Sequence, residues 1–555
     1  MKRHLLLLIG LIFSYFTTAV ALTFFSGRNF LLSYPIDLIT YIFRKLTNFE
    51  NIDGKFYIFL FLMLILVVIP ALIYDSFFDS DPLKNSKRKY GYAKFASTSL
   101  IKKMGLNFED GVILGLFKNK FIRSNKPLST LIIAPSGTGK TAGFIIPTLL
   151  SIRNSVIVLD IKGELFSKTA KAREENLKQK VLVFGLQGNL KFNPFAKNTL
   201  PQNRLRLKPF IKNISNLIFD DSKDSNSKSN YFNNSAKEFF NTIILYLIVK
   251  QGFATITAVQ DILLKDDKIK TTLKRIKEEI DDKILKETQI IEETKEKLVS
   301  NHMELLREVR RGVNQVLQIS SAEDQFSGVI GTLTTILSKF DDYDLRQIID
   351  TEYSSITANE LRKEKITLYL NVSDVDMERL SPILKCLFEV FVSDIISTEP
   401  TEEDNQITLI LDEFGNLGKV SKLIKATTIS RSYKLNQIFI LQDLAQIEST
   451  YSKEERGILE ANTAYKVILQ QNNLETARRI SDIIGTKTEI RASKSEQQDD
   501  VKAKKSFSTS YESVPLITPQ DILNLDKDEC VVVVQGFAAN VILAKIPWYF
   551  KYKIK

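Results

Sequence analysis

Two stretches near the start of the chain carry no charge. Residues 5–25 and 56–74 contain no Asp, Glu, Lys or Arg, and each supplies the roughly 20 apolar residues that a helix needs to cross a bilayer. They predict a membrane anchor over residues 1–80, with transmembrane helices at about 5–25 and 56–74 and an external loop at 26–55. The first stretch can also be read as a signal peptide, because Lys2 and Arg3 precede it and Ala19-Val20-Ala21 resembles a cleavage site. Pro70 should bend the end of the second. Lys84, Lys87, Arg88 and Lys89 follow closely, which points the body of the chain to the cytoplasm. Arg28, Arg44, Lys45 and Lys55 in the intervening loop weaken that asymmetry.

Beyond the anchor, short apolar runs alternate with longer mixed segments. Residues 156–160 and 181–184 read as strands buried on both faces, and further strands are expected at 366–372, 407–411, 437–441, 465–469 and 530–534. Residues 220–235 form a polar, low-complexity run that reads as a loop. From Ala236 to about Arg311 the pattern is helical, with Ile269, Leu273, Ile276 and Ile280 on one stripe and no Gly or Pro between Phe253 and Arg311. A polar stretch at 490–512, carrying Lys502, Lys504 and Lys505, reads as a mobile loop. The whole predicts an α/β fold with a mainly parallel sheet. An insertion at about 197–325 separates a first part at 81–196 from a second at 326–555.

Chemistry enters at residues 134–141. Ala134-Pro135-Ser136-Gly137-Thr138-Gly139-Lys140-Thr141 follows the apolar run Leu131-Ile132-Ile133 and precedes a helical pattern. Strand, glycine-rich turn and helix start are the parts of a phosphate-binding loop. Gly137 and Gly139 let backbone N–H groups converge on phosphate oxygens, and the helix N-terminus adds its positive dipole end. Lys140 would reach the terminal phosphates and Thr141 would hold Mg²⁺, so ATP and Mg²⁺ are the expected ligands. Ala134 stands where the general pattern has its first glycine, which the turn tolerates if that position has a negative φ. A second motif, Leu409-Ile410-Leu411-Asp412-Glu413, ends an apolar strand in two carboxylates. Asp412 can serve the Mg²⁺ shell, and Glu413 can take a proton from an attacking water.

Composition sets limits on the rest. The chain has 555 residues, room for two or three domains, and a net charge of +11 that permits a polyanionic partner without demanding one. Two cysteines, Cys386 and Cys530, lie far apart in apolar stretches, which excludes a disulfide framework and predicts buried thiols. His4 and His302 are the only histidines, so a histidine-rich metal site and a Ser-His-Asp triad are set aside.

Several ordered motifs together resemble the VirD4/TraG family of type IV secretion coupling proteins, and the resemblance runs from the hairpin to nearly the last residue. Gly91-Tyr-Ala-Lys-Phe-Ala96 resembles the segment that follows the family's membrane hairpin. Residues 134–141 with the trailing Ile145-Ile-Pro147-Thr-Leu-Leu150 match its phosphate loop, including Ala134. Asp160-Ile-Lys-Gly-Glu164, Phe192-Asn-Pro-Phe195, Asp412-Glu-Phe-Gly-Asn416, Arg431-Ser-Tyr433 and Leu441-Gln-Asp-Leu-Ala-Gln446 match further signatures in order. The resemblance implies a RecA-like P-loop nucleotide-binding domain with an inserted all-α domain at about 197–325 and an N-terminal transmembrane hairpin. It also implies a homohexamer in the bacterial inner membrane with its ATPase body in the cytoplasm.

Roles follow residue by residue from the same resemblance. Lys140 and Thr141 would bind nucleotide and Mg²⁺, Asp412 would orient the metal and Glu413 would be the catalytic base. Gln442 would sense the γ-phosphate, and Arg431 would complete a neighbouring subunit's site; the alternative for Arg431 is a surface cation paired with a nearby acid. For Asp160, Lys162 and Glu164 a strand-end turn and a nucleotide-site role stay open. The implied partners are the channel proteins of a type IV secretion system, with DNA and relaxase or protein effectors as cargo. Two other readings stand beside an ATP-driven pump: a cargo-docking receptor in which ATP only switches conformation, and a tethered DNA translocase outside secretion. Close mixing of acid and base at 274–282 argues mildly against a dedicated DNA-binding face.

Overall fold

Runs rich in Val, Ile and Leu that are apolar at successive positions can satisfy both faces only when covered on both sides, and the chain builds its sheet from such runs. The computed structural model describes residues 90–219, 227–265, 269–294, 297–497 and 504–553. The expected membrane segments at 5–25 and 56–74 lie outside the described residues. Among the described residues no single helix is long and apolar enough to cross a membrane.

The strands are β1 (Lys94–Phe95), β2 (Val112–Phe117), β3 (Lys120–Ser124), β4 (Thr130–Ile133), β5 (Ser155–Asp160), β6 (Lys180–Phe184), β7 (Ile366–Asn371), β8 (Ile407–Leu411), β9 (Leu435–Leu441), β10 (Tyr465–Ile468), β11 (Thr486–Gln497), β12 (Lys504–Pro515), β13 (Glu529–Val534) and β14 (Asn540–Lys545). All but β11 and β12 join one 12-stranded sheet in the order β3-β2-β14-β13-β10-β4-β9-β8-β5-β7-β6, with β1 on β14. From β10 to β6 every ladder is parallel. From β10 outward to β3 every ladder along that order is antiparallel. The sheet is therefore mixed, and its antiparallel flank is the part that the apolar pattern least reveals. In that flank the β2–β3 register shifts between Ile113 and Gly115. A side chain at 115 would meet the Ala544 methyl at 2.9 Å, so close strand approach, rather than a long apolar run, defines this edge.

Side chains alternate between two hydrophobic layers. On β5, Val156 and Val158 enter one, while Ile157 and Leu159 enter the other. Between β6 and β7 the chain forms helices at Leu207–Ile218, Ser227–Gln251, Ile256–Lys265, Ile269–Thr294, Lys297–Ile319, Glu323–Leu337 and Tyr343–Ile349. Of the stripe expected at Ile269, Leu273, Ile276 and Ile280, the last three are buried in the same continuous core as β5, and Ile269 is half-buried against it. The polar run at 220–235 is not all loop, because helix begins at Ser227. Its Asn and Ser residues are poor helix formers, and packing of the apolar residues that follow overrides that preference. Phe192-Asn-Pro-Phe195 ties the two ends of the helical segment. Buried Asn193 donates from Nδ2 to the Ala254 carbonyl at 2.8 Å and the Thr351 carbonyl at 2.7 Å.

The loop expected at 490–512 is corrected at residues 490–497 and 504–512, which are strands, while residues 498–503, with Lys502, lie outside the described residues. β11 and β12 form a separate two-stranded ribbon, with Arg491 Nε 3.1 Å from Glu512 Oε2. Strand pairing there uses backbone groups that any sequence carries, so a polar composition gives no hydrophobic alternation to read. Contact density divides the chain into two units. Residues 93–486 with 514–555 form the sheet-bearing body, and the described parts of the other unit are residues 90–92, 487–497 and 504–513.

Both cysteines are buried, as the sequence predicts, and burial pushes both thiols above the ordinary range. The most demanding buried group is Arg173, fully covered on the helix Glu164–Glu175. Its guanidinium donates to Thr367 Oγ1 at 2.5 Å, to Gln179 Oε1 at 2.6 Å and to the Leu149 and Ile152 carbonyls. These carbonyls end the helix Ile146–Ser151, so a buried cation caps the negative end of the helix that the phosphate loop opens. Burial lowers its pKa to about 10, still leaving it charged near neutrality. Replacing Arg173 with Met should cost about 2–4 kcal/mol by orphaning several buried acceptors. Chemical denaturation of the variant and the parent protein checks this, and an unchanged midpoint would refute the capping role.

Candidate nucleotide site

The parallel register brings the chemistry to one end of the sheet. Ile133 pairs with Leu441, and Leu411 pairs with Phe439 on the other side of β9, so the segments leaving β4, β8 and β9 emerge together. This is the strand-end crevice where open α/β sheets bind ligands. Ala134 is fully buried with a negative φ, and its amide donates to the Leu441 carbonyl at 2.8 Å. The missing first glycine therefore costs nothing here. Gln471 at the end of β10 donates to the Ile133 carbonyl at 3.1 Å and fixes the entrance of the loop.

Within the loop, Gly137 has φ 81° and Gly139 φ 90°, conformations that side chains resist. Thr138 Oγ1 closes the turn on the Pro135 carbonyl at 2.7 Å. Among the described residues, the amides of Gly137 and Gly139 donate to no backbone acceptor, so both are free for an anion. Thr141 then opens a π-wound first turn, Thr141–Ile145, before the α-helix Ile146–Ser151.

Lys140 ties this loop to the second motif. Its Nζ lies 3.2 Å from Glu413 Oε1 and 3.8 Å from Asp412 Oδ1, and the lysine is buried. Glu413 has φ 54° and ψ 47°, a left-handed conformation that costs a non-glycine residue on the order of 1–2 kcal/mol. The strain is held by neighbours: Asn416 Nδ2 donates to Glu413 Oε2 at 3.0 Å, and the Asn416 amide donates to the Glu413 carbonyl at 2.8 Å. Asn416 is thus a functional neighbour that the sequence offered only as part of a motif. Asp412 is pushed up to about 6, by burial first, with the Glu413 and Asp160 charges adding and Lys140 opposing. Among the described residues its buried Oδ1 receives no hydrogen bond, Lys140 Nζ standing off at 3.8 Å.

That orphaned oxygen fits a divalent cation or its water, and the two free glycine amides beside Lys140 fit phosphate. Among the described residues no cluster of three or more His, Cys, Asp or Glu could hold a metal. Thr141 and Asp412 would therefore share Mg²⁺ with phosphate oxygens and water, as is usual for that ion.

Asp160 resolves toward structure. It is buried, accepts the Phe166 amide at 2.8 Å and faces the amides of Leu165, Lys162 and Gly163 at the start of the helix Glu164–Glu175. Its carboxylate caps that helix and reaches the site only as a charge beside Asp412. Lys162 and Glu164 are exposed. Lys162 lines a cavity of about 760 Å³ with Gly163, Gln187 and Asn371, and none of residues 134–141 borders it.

Gln442 leaves β9 beside Ala134, and its amide donates to Gln446 Oε1 at 3.3 Å. Asp443 anchors the same segment by accepting from Thr476 Oγ1 at 2.5 Å and Asn473 Nδ2 at 2.6 Å. Arg431 is not brought in. It is exposed in the turn before Leu435, at the opposite end of β9, roughly 20 Å away along a seven-residue strand.

Comparison with known proteins gives the chain a family and a fold. Residues 94–555 match the family model described as Type IV secretory system Conjugative DNA transfer. The chain is similar to Protein VirD4 of Rhizobium radiobacter, 27% identical over 445 residues covering 79% of this chain and 60% of that one. It is also similar to Conjugal transfer protein TraG of Escherichia coli, 23% identical over 486 residues covering 80% and 71% respectively. The chain thus spans about three fifths of the VirD4 relative's length. Among solved structures it resembles the plasmid coupling protein TrwB in complex with ADP and Mg²⁺. The TM-score is 0.54 at 14% identity, over 82% of this chain and 93% of that one, and the two share a RecA-like α/β fold with a mixed sheet.

The raised Asp412 carboxyl gives a testable pH dependence. As a Mg²⁺ ligand Asp412 would have to be ionised, so a proton would compete below about pH 6. Calorimetry with Mg²⁺·ADP should show affinity flat above pH 7 and falling toward tenfold per unit below about 6. Asp412→Asn should abolish that slope. The sign for stability is opposite: with its folded pKa above the ordinary 3.8, this group's contribution is greatest at low pH and declines as pH rises through about 6.

Proposed function

Since the chain belongs to the Type IV secretory system Conjugative DNA transfer family, we propose that it is the coupling ATPase of such a system. In this reading it recruits DNA–protein complexes or protein effectors and uses ATP hydrolysis to deliver them to the secretion channel. The observation that carries the reading is the meeting of Lys140, Asp412 and Glu413 at the aligned ends of β4 and β8. The phosphate loop supplies free amides and a lysine, and the carboxylates supply a metal ligand and a base.

Each residue then has a task. Phosphate would compete with Glu413 for the Lys140 ammonium, and a released Glu413 could accept the proton of a water, with Asn416 keeping its carboxylate oriented. Mg²⁺, when bound, neutralises charge on the phosphate oxygens. Gln442, which leaves β9 beside the loop entrance, would report the state of the terminal phosphate. Arg431, exposed at the far end of β9, would complete a neighbouring copy's site in the homohexamer that the family resemblance implies; the alternative is a surface cation. Residues of about 197–325 would form the cargo-reading all-α domain, and residues 1–80 would anchor the protein in the bacterial inner membrane with the ATPase body in the cytoplasm.

ATP turnover by the full-length protein in detergent, with and without DNA at two salt concentrations, tests the reading. DNA stimulation that fades with salt would identify nucleic-acid cargo. Turnover indifferent to DNA would favour protein effectors, and absence of turnover with retained ATP binding would favour a docking receptor. Lys140→Ala should abolish nucleotide binding and transfer while leaving membrane insertion intact. Glu413→Gln should keep ATP binding but lower turnover by a factor on the order of 100 or more. Full transfer by the lysine variant would overturn the ATPase reading.

A further inference from the structure

The first turn of the phosphate-loop helix leaves a carbonyl without a helical donor. The Ile146 amide bonds to the Thr141 carbonyl, five residues back, and so does not serve Ala142. Continuing that winding from Ala142 leads to Pro147, which has no N–H. A distant segment supplies the missing donor: the Tyr549 amide bonds to the Ala142 carbonyl at 3.1 Å.

The same segment meets the loop at two glycines. A side chain at Gly139 would come within 2.1 Å of Trp548 Cη2 and 2.4 Å of Cζ3, and one at Gly143 would lie 2.3 Å from Ile546 Cγ2. These residues leave β14 and are anchored on Asp528, just before β13. The Ile546 amide donates to the Asp528 carbonyl at 2.8 Å, and Trp548 Nε1 donates to Asp528 Oδ1 at 2.7 Å. Lys551 Nζ lies 3.1 Å from Asp528 Oδ2, and Phe550 stacks on the indole with centroids 5.6 Å apart. Trp548 is the only tryptophan in the chain.

We infer that residues 546–549, centred on Trp548, are a positioning element of the nucleotide site. The indole occupies the space that a side chain at 139 would take and limits how Gly139 can move. The Tyr549 amide holds the first helical turn in its π-wound form. Together they fix the loop amides in the arrangement a polyphosphate needs, and they couple that arrangement to the antiparallel flank of the sheet. Trp548 acts through the loop and not on the nucleotide. The inference rests on the nucleotide-binding reading.

The test uses full-length protein in detergent, with calorimetric titration of Mg²⁺·ADP and of Mg²⁺·tripolyphosphate, alongside Trp548 emission. Expected results are a saturable emission change with either ligand, and about tenfold weaker binding of both by Trp548→Ala. Trp548→Phe should retain affinity within about twofold, since a ring still fills the space. Asp528→Ala, at an exposed anchor, should give a smaller loss in the same direction and keeps the inference testable if Trp548→Ala does not fold. Weaker binding of ADP alone, with tripolyphosphate unaffected, would mean that the indole touches the base and would overturn the positioning role. Normal binding by both Trp548→Ala and Asp528→Ala would also overturn it while leaving the nucleotide reading intact. Failure of the parent protein to bind either ligand would overturn the nucleotide reading itself.

Discussion

The parallel register of β4, β9 and β8 is the constraint on which the site depends. Lys140 can reach Glu413 and Asp412 only because Ile133, Leu441 and Leu411 end their strands at nearly one level. A slip of one residue in either ladder would turn the buried faces over and break both hydrophobic layers. Packing therefore defends the geometry of the chemistry. The core that stabilises the sheet is also what keeps a cation and two carboxylates, 273 residues apart in the case of Lys140 and Glu413, within a few ångströms.

The site concentrates unfavourable local features, and each is compensated by a specific neighbour. Glu413 sits in a left-handed conformation secured by Asn416, and Asp412 is buried next to two other carboxylates with Lys140 as counter-charge. Among the described residues Arg173 has no carboxylate partner, and it places its cation under the C-terminal end of the phosphate-loop helix, where carbonyl oxygens accept its N–H groups. Such features resist change until a ligand rebalances them. In the proposed reading an incoming phosphate would compete for Lys140, and a metal ion would satisfy the Asp412 oxygen.

The antiparallel flank gives the fold a second purpose. β13 and β14 extend the sheet beyond β10, and they also bring Trp548, anchored on Asp528, against the phosphate loop. A parallel sheet with helices on its faces has no need of a tail at this position. Here the tail supplies a donor that Pro147 removes from the helix.

Much was legible in the residues themselves. Gly137 and Gly139 mark a turn whose backbone side chains resist, Lys140 and Thr141 add the ammonium and hydroxyl that a phosphate loop would use, and continuous apolar runs such as residues 156–159 mark strands covered on both faces. The stripe at Leu273, Ile276 and Ile280 declares a helix packed on a core. Tertiary structure alone decided what depends on distant partners: the sharing of Lys140 between Asp412 and Glu413, the capping role of Asp160, and the separation of Arg431 from the loop. The ribbon of β11 and β12, and the antiparallel edge at β2, β3 and β14, were also decided there. Local patterns record how each residue treats water and its own backbone. They carry no record of which strand lies beside which, and the pairing of polar backbone leaves no hydrophobic trace.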